Sequence, residues 1–155
     1  MRLALYQPDI APNAGTIIRL CACLGVALDV IEPCGFVWSD RKLKRAGMDY
    51  VDLARVVRHD SWEAYRHSRE SGRLVLLTTK ADLSYTDFAY SADDTLMLGR
   101  ETAGVPDDVH DAAEARLRVP MQAGARSLNV ALAAAMVLGE ALRQTGGFDP
   151  GKEKA

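Results

Sequence analysis

Leu98-Gly-Arg-Glu-Thr-Ala-Gly-Val-Pro106, Val119-Pro-Met121 and Arg126-Ser-Leu-Asn129 follow one another in the last third of the chain. Their reading decides the fold. Each is a glycine-rich or polar loop at the border of an apolar run. Thr95-Leu-Met-Leu98 reads as a short buried strand entering the first loop, where Gly99 and Gly104 permit close backbone approach or positive φ. Arg116-Leu-Arg-Val119 reads as a second strand, stopped by Pro120, which cannot extend a central ladder. Ser127 is expected to cap a long apolar helix. Functional groups gather on loops at the carboxyl edge of a parallel sheet. Three such loops within about 30 residues therefore predict one composite pocket.

Working outward, strand and helix signals alternate. Arg2-Leu-Ala-Leu-Tyr6 has strand character, and Pro8 and Pro12 bracket a loop. Asn13 is expected to cap a helix with apolar residues at Ile17, Leu20, Cys21 and Leu24, ended by Gly25. Arg19 lies off that stripe. Ala27-Leu-Asp-Val-Ile31 is a second strand and Glu32-Pro-Cys-Gly35 a turn. Asp40 is expected to cap a basic helix that Gly47 ends. Val56 and Val57 mark a short strand, after which Ser61 caps a helix running to Glu70. Trp62 and Tyr65, three apart on that helix, read as packing rather than as a platform for bases. Leu74-Val-Leu-Leu-Thr78 is a buried strand by length and apolarity. Residues 82–94 lack a period. The final helix carries Leu128, Leu132, Ala135, Met136, Gly139 and Leu142 on one side. The alternation predicts an α/β domain with a mostly parallel sheet flanked by helices. It spans residues 1–145, with 146–155 a flexible tail.

A chain of 155 residues with 48% hydrophobic composition is one domain by length, and it buries about 70% of its unfolded surface without a disulfide or metal staple. No charged segment precedes an apolar core at the N-terminus, so no signal peptide is expected. No apolar run approaches about 20 residues, so no membrane span is expected. Cys21, Cys23 and Cys34 show no C-x-x-C spacing, which fits reduced thiols in a cytoplasmic protein. The net charge of −2 argues mildly against nucleic acid, but four of the 19 basic residues (Arg41, Lys42, Lys44 and Arg45) fall within five positions. Taken alone, that run reads as a solvated helix face.

Several chemistries lack their signatures. No G-x-G-x-x-G follows a strand, and the Gly99–Gly104 spacing lacks the Lys-Ser/Thr of a nucleotide-hydrolysing loop. His59, His67 and His110 show no ligand spacing, so no metal is expected. Ser127 lacks G-x-S-x-G.

With Asn13-Ala-Gly-Thr-Ile-Ile-Arg19, the three loops resemble the three motifs of the SPOUT class of RNA methyltransferases, the SpoU and trefoil-knot superfamily. The first motif is N-x-G-x-x-x-R-like. The second, G-x-E-x-x-G-x-P, falls on Gly99, Glu101, Gly104 and Pro106; the third falls on Val119, Pro120, Met121 and Arg126-Ser-Leu-Asn129. Leu5-Tyr-Gln-Pro8, Ile31-Glu-Pro33, Arg45-Ala-Gly-Met-Asp-Tyr50 and Glu140-Ala-Leu-Arg-Gln144 extend the likeness to the small subfamily that methylates the wobble ribose of tRNA. Members often carry an aromatic residue where this chain has Gly139.

The resemblance implies a deep C-terminal trefoil knot, S-adenosylmethionine as methyl donor, no metal, and a cytoplasmic homodimer acting on tRNA rather than DNA. It implies 2′-O-methylation of nucleotide 34. Leu77, Thr78, Gly99, Glu101, Val119, Met121, Ser127 and Leu128 would form the donor site, with Glu101 ordering its loop or bonding backbone amides. Arg19 would be the main catalytic side chain and Asn129 its polar partner. Arg41, Lys42, Lys44, Arg45 and Arg126 would contact RNA. A ribosomal-RNA methyltransferase of the same class and a catalytically silent RNA-binding or assembly protein remain the alternatives.

Overall fold

The computed structural model describes residues 1–39 and 54–148. Within them lie β1 (Arg2–Tyr6), α1 (Ala11–Leu24), β2 (Ala27–Ile31), β3 (Val56–His59), α2 (Trp62–Ser68), β4 (Leu74–Leu77), β5 (Thr95–Leu98), α3 (Asp107–Ala112), β6 (Ala115–Leu117) and α4 (Val130–Thr145). The strands form one six-stranded sheet in the order β3-β2-β1-β5-β4-β6, and every pairing is parallel. All carboxyl ends therefore lie on one edge.

Side chains alternate across the pleat. Leu3 and Leu5 enter the core layer shared with α1 and α4, whereas Ala4 and Tyr6 enter the layer of Trp62, Tyr65 and Val109 from α2 and α3. Trp62 and Tyr65 are both buried, so they pack the core as the sequence predicts. Cys21 is buried too, and that burial pushes its thiol up to about 12. Among the described residues no helix is long and apolar enough to cross a membrane.

Three local expectations are corrected. Asn13 does not cap α1: the helix starts earlier, with extended Ile10 as N-cap and Pro12 in the first turn, where a missing N–H costs nothing. Ser127 does not cap α4. The chain stays non-helical through Asn129, whose side chain accepts from the N–H groups of Ala131 and Leu132 at 2.9 and 3.3 Å. Serine and asparagine cap about equally well, so the sequence alone leaves their order open. The buried face of α4 is Ala131, Ala134, Val137, Leu138, Ala141 and Leu142. Of the predicted stripe only Leu142 is buried, while Leu132 and Met136 are 57% and 42% exposed. A helix apolar nearly all round fits two faces by period alone; small alanines let one face sit close on the sheet. A further helix, α3, falls where the sequence analysis assigns no element, because six residues are too few to display a helical period.

Ser61 does cap α2, accepting from Ala64 N–H at 3.1 Å, although the helix ends at Ser68 rather than Glu70. Asp40, Gly47 and the basic run lie outside the described residues, as does most of the expected tail.

Candidate active site

Leu77, Leu98 and Leu117, the last residues of β4, β5 and β6, border a cavity of about 430 Å³ at the carboxyl edge of the sheet. The predicted donor residues Leu77, Thr78, Gly99 and Glu101 line it from the loops after β4 and β5. Val119, Met121, Ser127 and Leu128 line it from the loop after β6. Asn129 and Val130 close it where α4 begins, and Asn13 borders it from α1. All eight predicted donor residues, and Asn129, thus share one cavity.

The loop after β5 closes on itself. Arg100 N–H donates to Gly104 O, and Gly104 N–H to Arg100 O, both at 2.9 Å, with Gly104 at φ +67°. The closure explains Gly99. A Cβ there would come within 2.7 Å of the Gly104 carbonyl carbon, so the missing side chain serves the loop's own turn.

A hydrogen-bonded network then fixes this loop to the rest of the edge. Glu101 accepts from the Asp9 N–H at 2.8 Å and from Asn13 Nδ2 at 3.3 Å. Asn129 Nδ2 donates to Asn13 Oδ1 at 3.0 Å. Asp9 receives Arg100 Nη2 at 2.7 Å on one oxygen and Thr102 Oγ1 at 2.6 Å on the other. Arg100, and then Thr102, hold the Asp9 carboxyl below the usual carboxylate range. Asn13, Glu101 and Asn129 come from three separated segments, so one chain of bonds joins all three motifs. Asn13 is available for this because it is relieved of capping. Sequence reasoning did not single out Asp9, Arg100 or Thr102 in this role. Their signal is only a charge pair 91 residues apart.

Two predicted residues stand apart. Arg19 is exposed on α1 and does not line the cavity, and Arg126 is exposed in the loop before α4, also outside it. Arg41, Lys42, Lys44 and Arg45 lie outside the described residues. Among the described residues no group of three His, Cys, Asp or Glu side chains could hold a metal ion.

The cavity suits a small molecule bearing both an apolar ring and polar ends. Its volume falls in the usual range of about 300–1,000 Å³, and its walls alternate leucine and valine with threonine, serine, glutamate and asparagine.

Known proteins resemble the whole of this arrangement. A tRNA (cytidine(34)-2′-O)-methyltransferase of Beijerinckia indica subsp. indica is 60% identical over 146 residues, covering 93% of this chain and 91% of its own. The protein of the same name from Escherichia coli is 43% identical over 148 residues, covering 94% of each chain. A solved structure described in the words "Structural insights into the 2-OH methylation of C/U34 on tRNA" superposes with a TM-score of 0.87 at 38% identity, covering 92% of this chain and 94% of that one. The SpoU methyltransferase AviRb from Streptomyces viridochromogenes, solved in complex with the cofactor AdoMet, superposes at 0.80 with 29% identity, covering 93% of this chain and 60% of its own. The model of the SpoU rRNA Methylase family matches residues 1–139. The chain belongs to the SpoU rRNA Methylase family.

Proposed function

We propose that this protein is an S-adenosylmethionine-dependent tRNA 2′-O-methyltransferase that modifies the ribose of wobble nucleotide 34. One observation carries the reading. The cavity at the carboxyl ends of β4, β5 and β6 is framed by all three motif segments, in a chain 60% identical to a relative named for that activity. The reading includes a single methyltransferase domain over residues 1–145, a trefoil knot formed by the loops around the cavity, and a cytoplasmic location.

When bound, S-adenosylmethionine supplies the reactive methyl group; no metal is required. The protein's part is position and charge. Leu77, Val119, Met121 and Leu128 offer apolar contact to the adenosine, and Thr78, Gly99 and Ser127 offer polar groups close to the backbone. Glu101 is engaged by Asp9 N–H and Asn13, so it orders the loop. That role agrees with the chemistry. Positive charge on the donor sulfur fades toward the transition state, so a carboxylate free to approach it would favour the ground state and oppose the rate.

The ribose 2′-OH must lose its proton as it attacks. A guanidinium keeps its proton at neutral pH, so Arg19 does not act as the base. Its guanidinium stabilises the developing alkoxide by charge-assisted hydrogen bonds, while phosphate or water takes the proton. Asn129 holds the geometry from the start of α4. Because Arg19 lies outside its own protomer's cavity, the reading includes a homodimer in which the site is completed between two protomers. Exposed Leu132 and Met136 on α4 supply apolar surface for that pairing. Arg126, with Arg41, Lys42, Lys44 and Arg45, contacts the RNA backbone.

Labelled methyl transfer to total tRNA, followed by mapping of the modified nucleotide, tests the reading. A 2′-O-methyl group at position 34 is expected. Transfer to ribosomal RNA alone, or donor binding with no transfer to any RNA, would overturn it.

A further inference from the structure

The β2–β3 half of the same carboxyl edge carries a second built surface. Phe36 and Trp38 stack with ring centroids 6.2 Å apart and planes 24° from parallel. The Arg58 guanidinium lies over the Trp38 ring, its Cζ 5.2 Å from the centroid, and donates to the Glu32 carboxylate. Both rings pack on the core layer that contains α1, so the stack is anchored from within. Its outer end is open: the Arg58 side chain is 45% exposed and Val37, between the two rings in sequence, is 77% exposed.

The turn leading into this surface is fastened to the site described above. Gly35 N–H donates to Pro8 O at 2.9 Å, and a Cβ on Gly35 would come within 2.9 Å of the Asp9 Cα. Asp9 in turn holds Arg100 and Thr102 of the cavity loop. In sequence, the segment continues directly into the basic run that begins at Arg41.

An arginine held in this way is poor at one task and good at another. A cation whose charge is already met by a carboxylate offers a phosphate little net attraction. A guanidinium whose plane is supported by an indole is pre-organised for stacking, and single-stranded RNA loops present unstacked bases that arginine planes receive. We propose that Arg58, backed by Trp38 and oriented by Glu32, stacks on a nucleobase of the tRNA anticodon loop next to the nucleotide being methylated. The proposal rests on the tRNA reading above.

Binding of a fluorescently labelled tRNA anticodon stem-loop, measured by anisotropy across a salt series for wild type, Arg58→Lys and Arg58→Ala, tests it. Calorimetric S-adenosylmethionine affinity serves as the folding control. Lysine keeps the charge and loses the plane. Stacking predicts that both variants bind the stem-loop roughly tenfold more weakly, with the salt slope and donor affinity unchanged. Wild-type affinity in Arg58→Lys, or a salt slope reduced by about one ion in Arg58→Ala, would assign Arg58 to a phosphate and overturn the stacking role. Wild-type affinity in both variants would overturn it as well. If the wild-type protein binds the donor but no stem-loop, the tRNA reading fails, and this proposal with it.

Discussion

Two of the polar networks among the described residues stand in contrast, because one frames a cavity and the other does not. At the carboxyl edge, Asp9, Arg100, Thr102, Glu101, Asn13 and Asn129 tie three loops around the cavity. On the β2–β3 side, Ser68 Oγ is 3.1 Å from His59 Nδ1, His59 Nε2 is 2.8 Å from Asp29, and Arg2 Nε donates to Asp29 at 2.7 Å. By connectivity the second network is a serine–histidine–aspartate relay. By position it is structural. Ser68 is the last residue of α2, where unpaired carbonyls rather than N–H groups gather, so a developing oxyanion would be repelled. Neither Ser68, His59, Asp29 nor Arg2 lines the cavity. Hydrogen-bond order alone does not make an active site; a cavity and the sign of the local dipoles decide.

That contrast is open to breakage. Asp29→Ala removes the carboxylate shared by buried His59 and largely covered Arg2, leaving them Ser68 and the more distant Glu70, and should cost about 3 kcal/mol of stability. Donor affinity per folded molecule should not change, and Ser68→Ala should leave methyl transfer untouched. Denaturant melts beside calorimetry would reveal this; lost donor affinity in a folded Asp29 variant would merge the two networks into one.

On the catalytic side, Arg19→Ala should lose single-turnover methyl transfer at saturating tRNA by roughly two orders of magnitude. Weaker tRNA binding with the saturated rate preserved would reduce Arg19 to a phosphate contact.

A smaller effect is expected at Asp9. Removing its charge in Asp9→Asn loosens Arg100 and Thr102 and should weaken donor binding roughly tenfold. Its pKa also sets a pH window. The folded value is lowered, so the stabilisation is complete above the ordinary carboxylate value of 3.8 and is lost only as pH falls through the lowered one. Unfolding free energy followed from about pH 7 to about pH 3 should show no Asp9-dependent loss until the acid end of that range. A difference between wild type and Asp9→Asn that fades near neutrality would contradict the assignment.

Much of this was legible in the sequence, and the failures share a cause. The strands and their parallel sense follow from short apolar runs separated by helical segments, and the carboxyl-edge pocket follows from the polar loops at Gly99, at Pro120 and over 126–129 that interrupt them. Less readable were contacts distant in sequence. Asp9 and Arg100 look like ordinary surface charges until the fold brings them together. Asn13 and Ser127 both suit a cap locally, yet the structure gives one cap to Ile10 and the other to Asn129. The face of α4 was ambiguous because alanine, leucine and methionine satisfy the same period on both sides. At Gly99 the sequence allows either a close backbone approach or a positive φ; the structure shows the close approach, and its partner is Gly104.

The collision at Gly99 also chooses the most direct test of the cavity, because a bulky residue there would damage the loop itself. Ala133 is better placed: it lines the cavity from the first turns of α4, on a regular helix and clear of the loop closure. Calorimetric titration of S-adenosylmethionine into wild type and Ala133→Trp, with thermal melts confirming that both are folded, asks whether this cavity holds the donor. Saturable binding to wild type, weakened by roughly a hundredfold or more in Ala133→Trp, is the predicted result, since filling the site leaves the adenosine no apolar wall. Undiminished donor affinity in folded Ala133→Trp would contradict the account.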